Sequence, residues 1–240
     1  MVRIHRSTFA WSARVLAALV VSALPFATAA LAQESGGIKY VYSLDYPLGQ
    51  KANYLGWVAS VADELQAPAE VLRIASYDNY FSATPHRIIE FEFEGIPSAA
   101  AYFERPEIKA VLDELVNRGV NTEMMVLERR GDYDLSQEVG PIRYLYTVEY
   151  PLGKKVEYLE WVASIADKLQ TPKELKRITS YDNFFGAKPD RTIEFEFDDM
   201  VSAAQYFENP DVNAVLEEAV NHGLNGRMSV LKLRSDYMRR

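Results

Sequence analysis

The sequence predicts an α+β fold of two βαββαβ repeats whose antiparallel sheets pair within one chain to close a barrel. Three observations carry this. Residues Ile38 to Tyr133 recur as Ile142 to Tyr237 at a constant offset of 104, without insertion or deletion, and 56 of the 96 paired positions are identical. Within each copy, stretches with strand periodicity alternate with stretches of helical periodicity in the order βαββαβ. That order covers one face of a four-stranded sheet with two helices and leaves the other bare, so each copy is expected to cover the other.

The first strand is Tyr40-Val41-Tyr42-Ser43-Leu44-Asp45-Tyr46, aromatic and β-branched, stopped by the turn Pro47-Leu48-Gly49. From Lys51 to Gln66 the residues Tyr54, Leu55, Val58, Val61, Ala62 and Leu65 recur at three- and four-residue spacing, which places them on one helical face ended by Pro68. Val71 to Phe81 and Arg87 to Glu94 read as two strands joined at Ala83-Thr84-Pro85. Ser98 is positioned to cap a short helix through Phe103, and Pro106 suits the first turn of another that ends near Asn117 and Gly119. A last strand runs from Asn121 to Glu128. Residues 33–133 form the first repeat and 142–240 the second. The connector 134–141, about eight residues, reaches roughly 27 Å at ~3.4 Å per residue.

Residues 1–32 read as a secretory signal. Arg3, His5, Arg6 and Arg14 precede an apolar stretch from Val15 to Leu31, and Ala30-Leu31-Ala32 is a small-x-small cleavage pattern; an uncleaved anchor is the alternative. Either way the expected location is periplasmic or secreted, and no second apolar run spans a bilayer after cleavage. Removing residues 1–32 takes away three arginines and moves the formal charge from −8 to 23 − 34 = −11. An acidic chain without a Lys/Arg stripe excludes nucleic acid and makes an anionic membrane a poor partner. The absence of cysteine rules out thiol catalysis and thiolate metal sites, so no metal site is expected.

The segment Phe91-Glu92-Phe93-Glu94 to Ser98-Ala99-Ala100, then Tyr102-Phe103-Glu104-Arg105-Pro106-Glu107-Ile108, resembles the third strand and second helix of the dimeric α+β barrel superfamily. The likeness is to its antibiotic-biosynthesis-monooxygenase-like, ferredoxin-like domains. The second copy repeats it as Phe195-Glu196-Phe197-Asp198 to Ser202-Ala203-Ala204, then Tyr206-Phe207-Glu208-Asn209-Pro210-Asp211-Val212. The resemblance implies a barrel and a range of activities: cofactor-free oxygenases, haem-degrading enzymes, two-domain chlorite dismutases, isomerases, and proteins without a known reaction. Haem-using members commonly offer a helix histidine. Here His86 pairs with Asp190 and His222 with Arg118 across the repeat, so neither is kept in both copies. No cofactor is expected, and haem on His222 stands as a third reading.

Candidate site residues follow from alternation. Ile89, Phe91 and Phe93 point one way and Glu90 and Glu92 the other, with Ile193, Phe195, Phe197, Glu194 and Glu196 repeating the pattern. With the aromatics under the helices, four carboxylates face the barrel. Two of them ~4 Å apart repel by about 4 kcal/mol at an effective dielectric near 20, which calls for a shared proton or for arginines, and Arg73 and Arg177 are the expected partners. These residues form either the lining of a ligand site or a solvated salt-bridge ladder. Ser76-Tyr77-Asp78-Asn79 and Ser180-Tyr181-Asp182-Asn183 add Tyr77, Tyr181, Asp78 and Asp182 as ligand-binding candidates, against a role in local turn satisfaction. The leading expectation is a small organic molecule in the barrel, bound or turned over by a carboxylate without a cofactor. The alternative is a non-catalytic module docking on a protein partner in the cell envelope.

Overall fold

The structure is a computed structural model that describes residues 37–134 and 139–238, all within one compact unit. The predicted leader and its cleavage position, and residues 135–138 of the connector, lie outside the described residues. The first repeat comprises β1 (Ile38–Asp45), α1 (Lys51–Gln66), β2 (Arg73–Asn79), β3 (Arg87–Phe93), α2 (Ile96–Phe103), α3 (Pro106–Arg118) and β4 (Val120–Asp134). The second comprises β5 (Ile142–Glu149), α4 (Lys155–Gln170), β6 (Arg177–Asn183), β7 (Arg191–Phe197), α5 (Met200–Glu208), α6 (Pro210–Ala219) and β8 (Leu224–Met238). Among the described residues no helix is long and apolar enough to cross a membrane.

Helix placement follows sequence chemistry with one correction. Pro106 and Pro210 open α3 and α6, where a missing N–H is harmless. Ile108, Val111, Leu112 and Leu115 recur at three- and four-residue spacing and bury one stripe of α3. Ser98, expected as a cap, lies inside α2 instead: the helix starts at Ile96 behind Gly95, which offers no side-chain cap. Only the second repeat has the device there, with Asp199 accepting from the Ser202 N–H.

The eight strands form a closed barrel in the order β1-β3-β2-β8-β5-β7-β6-β4. β4 and β8 are the seams. The first half of β4 pairs with β1, up to Ile38↔Glu128, and its second half with β6 of the other repeat, from Leu127↔Asn183 to Asp134↔Arg177. β8 pairs likewise with β5 and then β2. The last strand of each repeat is therefore longer than the predicted stop at Glu128, because its second half has a partner only the other repeat supplies. Every pairing is antiparallel, so β1, β2, β5 and β6 all run toward one end of the barrel. The turns after β1 and β5 and the β2–β3 and β6–β7 hairpins share that end.

Apolar side chains form three cores. Two lie between the helices and the outer wall, containing Phe91, Phe93 and Tyr102 in one repeat and Phe195, Phe197 and Tyr206 in the other. The third fills the barrel: Val41, Ala75, Tyr77, Ile88, Leu127, Leu145, Tyr181 and Leu231. An eight-stranded barrel has an interior about wide enough for side chains alone.

Candidate functional site

The predicted alternation in β3 and β7 holds, and it carries the glutamates into the barrel. Glu90, Glu194 and Glu196 are buried there. Their partners are not the two arginines expected. Lys39 of β1 and Arg143 of β5, at equivalent positions of the repeats, are both fully buried and cross over between halves. Lys39 Nζ lies 2.9 and 3.1 Å from the Glu194 carboxylate and 3.2 Å from Glu90. Arg143 donates to Glu90 at 2.8 and 2.9 Å and to Glu196 at 2.7 Å, with Glu194 at 3.2 Å. Each cation also sits over a tyrosine ring, Lys39 on Tyr181 at 4.4 Å and Arg143 on Tyr77 at 4.2 Å.

Arg73 meets the expectation at Glu92, whereas Arg177 does not pair with a glutamate. Arg73 bridges Glu92 at 3.2 Å and Asp236 of β8 at 2.7 Å. Arg177 pairs with Asp132 of β4 rather than with a glutamate. These two are equivalent ion pairs across the seams.

Glu90, Glu194 and Glu196 therefore meet two cations at the centre, with Glu92 at 3.7 Å from Lys39 as a fourth carboxylate at the edge. Burial pushes any carboxyl up, but Arg143 and Lys39 outweigh it at Glu90 and hold that group down to about 2. At Glu194 burial and the charge of Glu90 prevail over Arg143 and Lys39, and its carboxyl is raised. Glu92 is lowered, with Lys39 and Arg73 overcoming its burial. The carboxylates of Glu90, Glu194 and Glu196 are each paired with Lys39 or Arg143 beside the interior apolar layer, while Arg143 Nε is left without an acceptor. Glu90, Glu194 and Glu196 thus form a buried ionic network with Lys39 and Arg143 that joins the repeats.

Strand geometry separates the remaining candidates. Tyr77 and Tyr181 point inward, whereas Asp78 and Asp182 emerge on the outer face, so the Tyr-Asp pairs do not act together. Asp78 accepts from Tyr46 Oη at 2.8 Å and pairs with Lys51 at 3.0 Å, Arg87 at 3.5 Å and Arg234. Asp182 repeats this with Tyr150, Lys155, Arg191 and Arg130.

A partly open cavity lies outside the barrel wall. Its volume is about 90 Å³, and it is bounded by Trp57, Val58, Val61, Ala62, Leu65 and Gln66 of α1, Val111 and Leu115 of α3, Ile74 and Ser76 of β2, and Arg87, Ile89 and Phe91 of β3. The second repeat closes it with Ser235, Asp236 and Tyr237 of β8, the Tyr237 hydroxyl reaching the Gln66 carbonyl at 3.3 Å. Among its other polar groups, Arg87 donates to Ser76 Oγ at 3.0 Å and the Ser76 and Ser235 hydroxyls are 2.7 Å apart. None of the ten predicted site residues lines it. A signal existed: Trp57 and Arg87 recur as Trp161 and Arg191, on the faces that alternation turns toward the helices.

No family model matches the chain, and no curated protein matches it. Solved structures do. A monooxygenase-like protein from Lactobacillus acidophilus aligns over 85% of this chain and 96% of its own, at 12% identity and a TM-score of 0.62. An anthrone oxidase-like protein aligns over 86% and 94%, at 9% identity and 0.66. A mutant chlorite dismutase from Candidatus Nitrospira defluvii aligns over 85% and 93%, at 10% identity and 0.58. The fold is that of the dimeric α+β barrel, with both halves carried by one chain.

The residues present do not fit a haem. The cavity, about 90 Å³, is too small for a macrocycle of haem's size, and neither described histidine lines it. His222 stacks on Trp161 at 4.4 Å, with Glu218 at 3.3 Å, and His86 accepts the Tyr46 N–H at 3.2 Å. Among the described residues no group of three or more metal-ligating side chains is gathered.

Proposed function

We propose that this chain is an exported small-molecule-binding protein whose ligand enters the cavity between α1, α3 and the barrel wall, while the ionic interior is scaffold. The observation that supports this is a partly open, mostly apolar cavity with a buried arginine, Arg87, on its wall, completed only when β8 arrives from the other repeat. The names of the structural neighbours support a small organic ligand. The leader-like first 32 residues support export, which N-terminal sequencing of the protein recovered from the periplasm or medium tests. Binding rather than carboxylate catalysis is the reading, because the glutamates are sealed in the barrel and the one carboxylate of the cavity, Asp236, is held by Arg73 at 2.7 Å.

Ligand-observed NMR with a library of small fragments tests the site. Hits should disappear in Ala62→Phe, which fills the cavity, and persist in Glu90→Gln. The opposite pattern removes the cavity from consideration.

One observation supports the second reading, an envelope interaction module. Leu48 and Leu152 are fully exposed in equivalent turns, and Phe81 and Phe185 are 67% and 70% exposed at the hairpins, all at the same end of the barrel. Co-purification from envelope extracts that is lost in a Phe81→Ser/Phe185→Ser double variant supports it; co-purification that survives removes it.

A further inference from the structure

We propose that the cavity is built for a short organic carboxylate, its head on Arg87 and the Ser235 hydroxyl and its chain against Trp57, Ile89, Phe91 and Leu115; this rests on the small-molecule reading of the same site. Arg87 is 2% exposed, and its donors are unevenly used. Nη2 bonds Ser76 Oγ at 3.0 Å, and Nη1 makes long contacts of 3.4 Å to Tyr46 Oη and 3.5 Å to Asp78. Its Nε is buried without an acceptor.

Ser76 accepts from Arg87 and, being buried, gives its own hydrogen to Ser235 Oγ 2.7 Å away. Ser235 is exposed, so its own hydrogen can turn from water toward a group held in the cavity. A buried donor without an acceptor and a hydroxyl that can turn toward the cavity suit an oxygen that accepts twice.

Charge points the same way. Lys51, Arg87 and Arg234 share the single carboxylate of Asp78, an excess of positive over negative charge beside Arg87, while Asp236 shares Arg73 with Glu92. Size limits the tail: about 90 Å³ corresponds to roughly three waters at ~30 Å³ each. The second repeat supplies a contrast. Arg191 keeps a buried, unpartnered Nε and bonds Ser180 at 2.9 Å, but Gly131 stands where the first repeat's cavity has Ser235. That copy offers one hydroxyl fewer.

The test titrates the full chain with butyrate and with its near-isosteric amide, butyramide, while following the side-chain resonances of Trp57, Leu115 and Tyr237. Butyrate should bind at least about tenfold more tightly than butyramide. Ser235→Gly, which copies the residue of the second repeat, should weaken butyrate about fivefold and leave butyramide unchanged, and Arg87→Gln should abolish the preference. Equal affinities for the two probes overturn the carboxylate inference and leave the cavity standing as a site. Shifts from neither probe, or shifts confined to other residues, overturn the cavity reading itself. If Arg87→Gln fails to fold, Ser235→Gly decides: an unchanged butyrate affinity overturns the inference.

Discussion

Replacing Arg143 with Met keeps the aliphatic stem and removes the guanidinium from the centre of the barrel. The structure sets the size of the effect. Arg143 is fully buried and lies 2.8 Å from Glu90, 3.2 Å from Glu194 and 2.7 Å from Glu196, each of them also buried. Breaking a buried ion pair from one side costs about 3–5 kcal/mol, because the abandoned partner stays charged in a medium that solvates it poorly. Here three carboxylates lose the same cation and only Lys39 remains, which places the effect near ~5 kcal/mol, softened as the carboxyls take up protons. For a unit of about 200 residues each kcal/mol moves Tm by roughly 2–4 °C, so a fall of about 10–20 °C is expected. Arg177→Met is the matched control. Its partner Asp132 is a quarter exposed, and such a pair contributes about 0–1 kcal/mol, or a few degrees. Differential scanning calorimetry of both variants at pH 7 makes the comparison. A Tm for Arg143→Met within about 2 °C of the control refutes the claim that this network fastens the repeats.

Other consequences can be checked with the same instruments. Glu90, held down to about 2 against an ordinary 4.5, contributes stability that is present above about pH 4.5 and lost as pH falls toward 2, so Glu90→Gln should destabilise at pH 7 with the difference closing in acid. Glu194 is raised, so its contribution is present below about pH 4.5 and lost as pH rises through its folded value; Glu194→Gln should be tolerated at pH 7 and should flatten the decline on the alkaline side, as melts from pH 3 to 9 will show. Gly140→Ala brings a methyl to 2.6 and 2.8 Å from the backbone O and N of Phe197, which cannot yield, for a loss of about 1–3 kcal/mol in denaturant titrations; Gly131→Ala meets only the Ser180 hydroxyl, at 3.3 Å, and should lose much less. Leu115→Ala, which makes the cavity wall match Ala219 of the second repeat, should cost about 2–4 kcal/mol and let hexanoate bind as tightly as butyrate, measured by the same titration.

Much of the fold was legible because duplication let each element be read twice. The α1 boundaries and the two-sided pattern of β3 follow from apolar spacing alone. What escaped was whatever depends on the other repeat. The second half of β4 carries Glu128-Arg129-Arg130-Gly131-Asp132, which looks like a solvated exit into a linker until β6 lies beside it. Lys39 and Arg143 escaped for a related reason: a single cation in an aromatic strand looks like its solvent face, and only the register Lys39↔Glu92 and Arg143↔Glu196 turns it inward. The candidate site was missed because acidic side chains drew attention into the barrel. The cavity wall is mostly apolar, and its single buried cation, Arg87, sits at a strand start where an exposed arginine would be equally ordinary.

The central claim is that the barrel is filled and the ligand site lies between helices and wall. A crystal structure of the full chain soaked with butyrate addresses it most directly. The account predicts density beside Arg87, Ser235 and Trp57, with Lys39, Arg143 and the glutamates unmoved. Density among Lys39, Arg143 and Glu194 would contradict it.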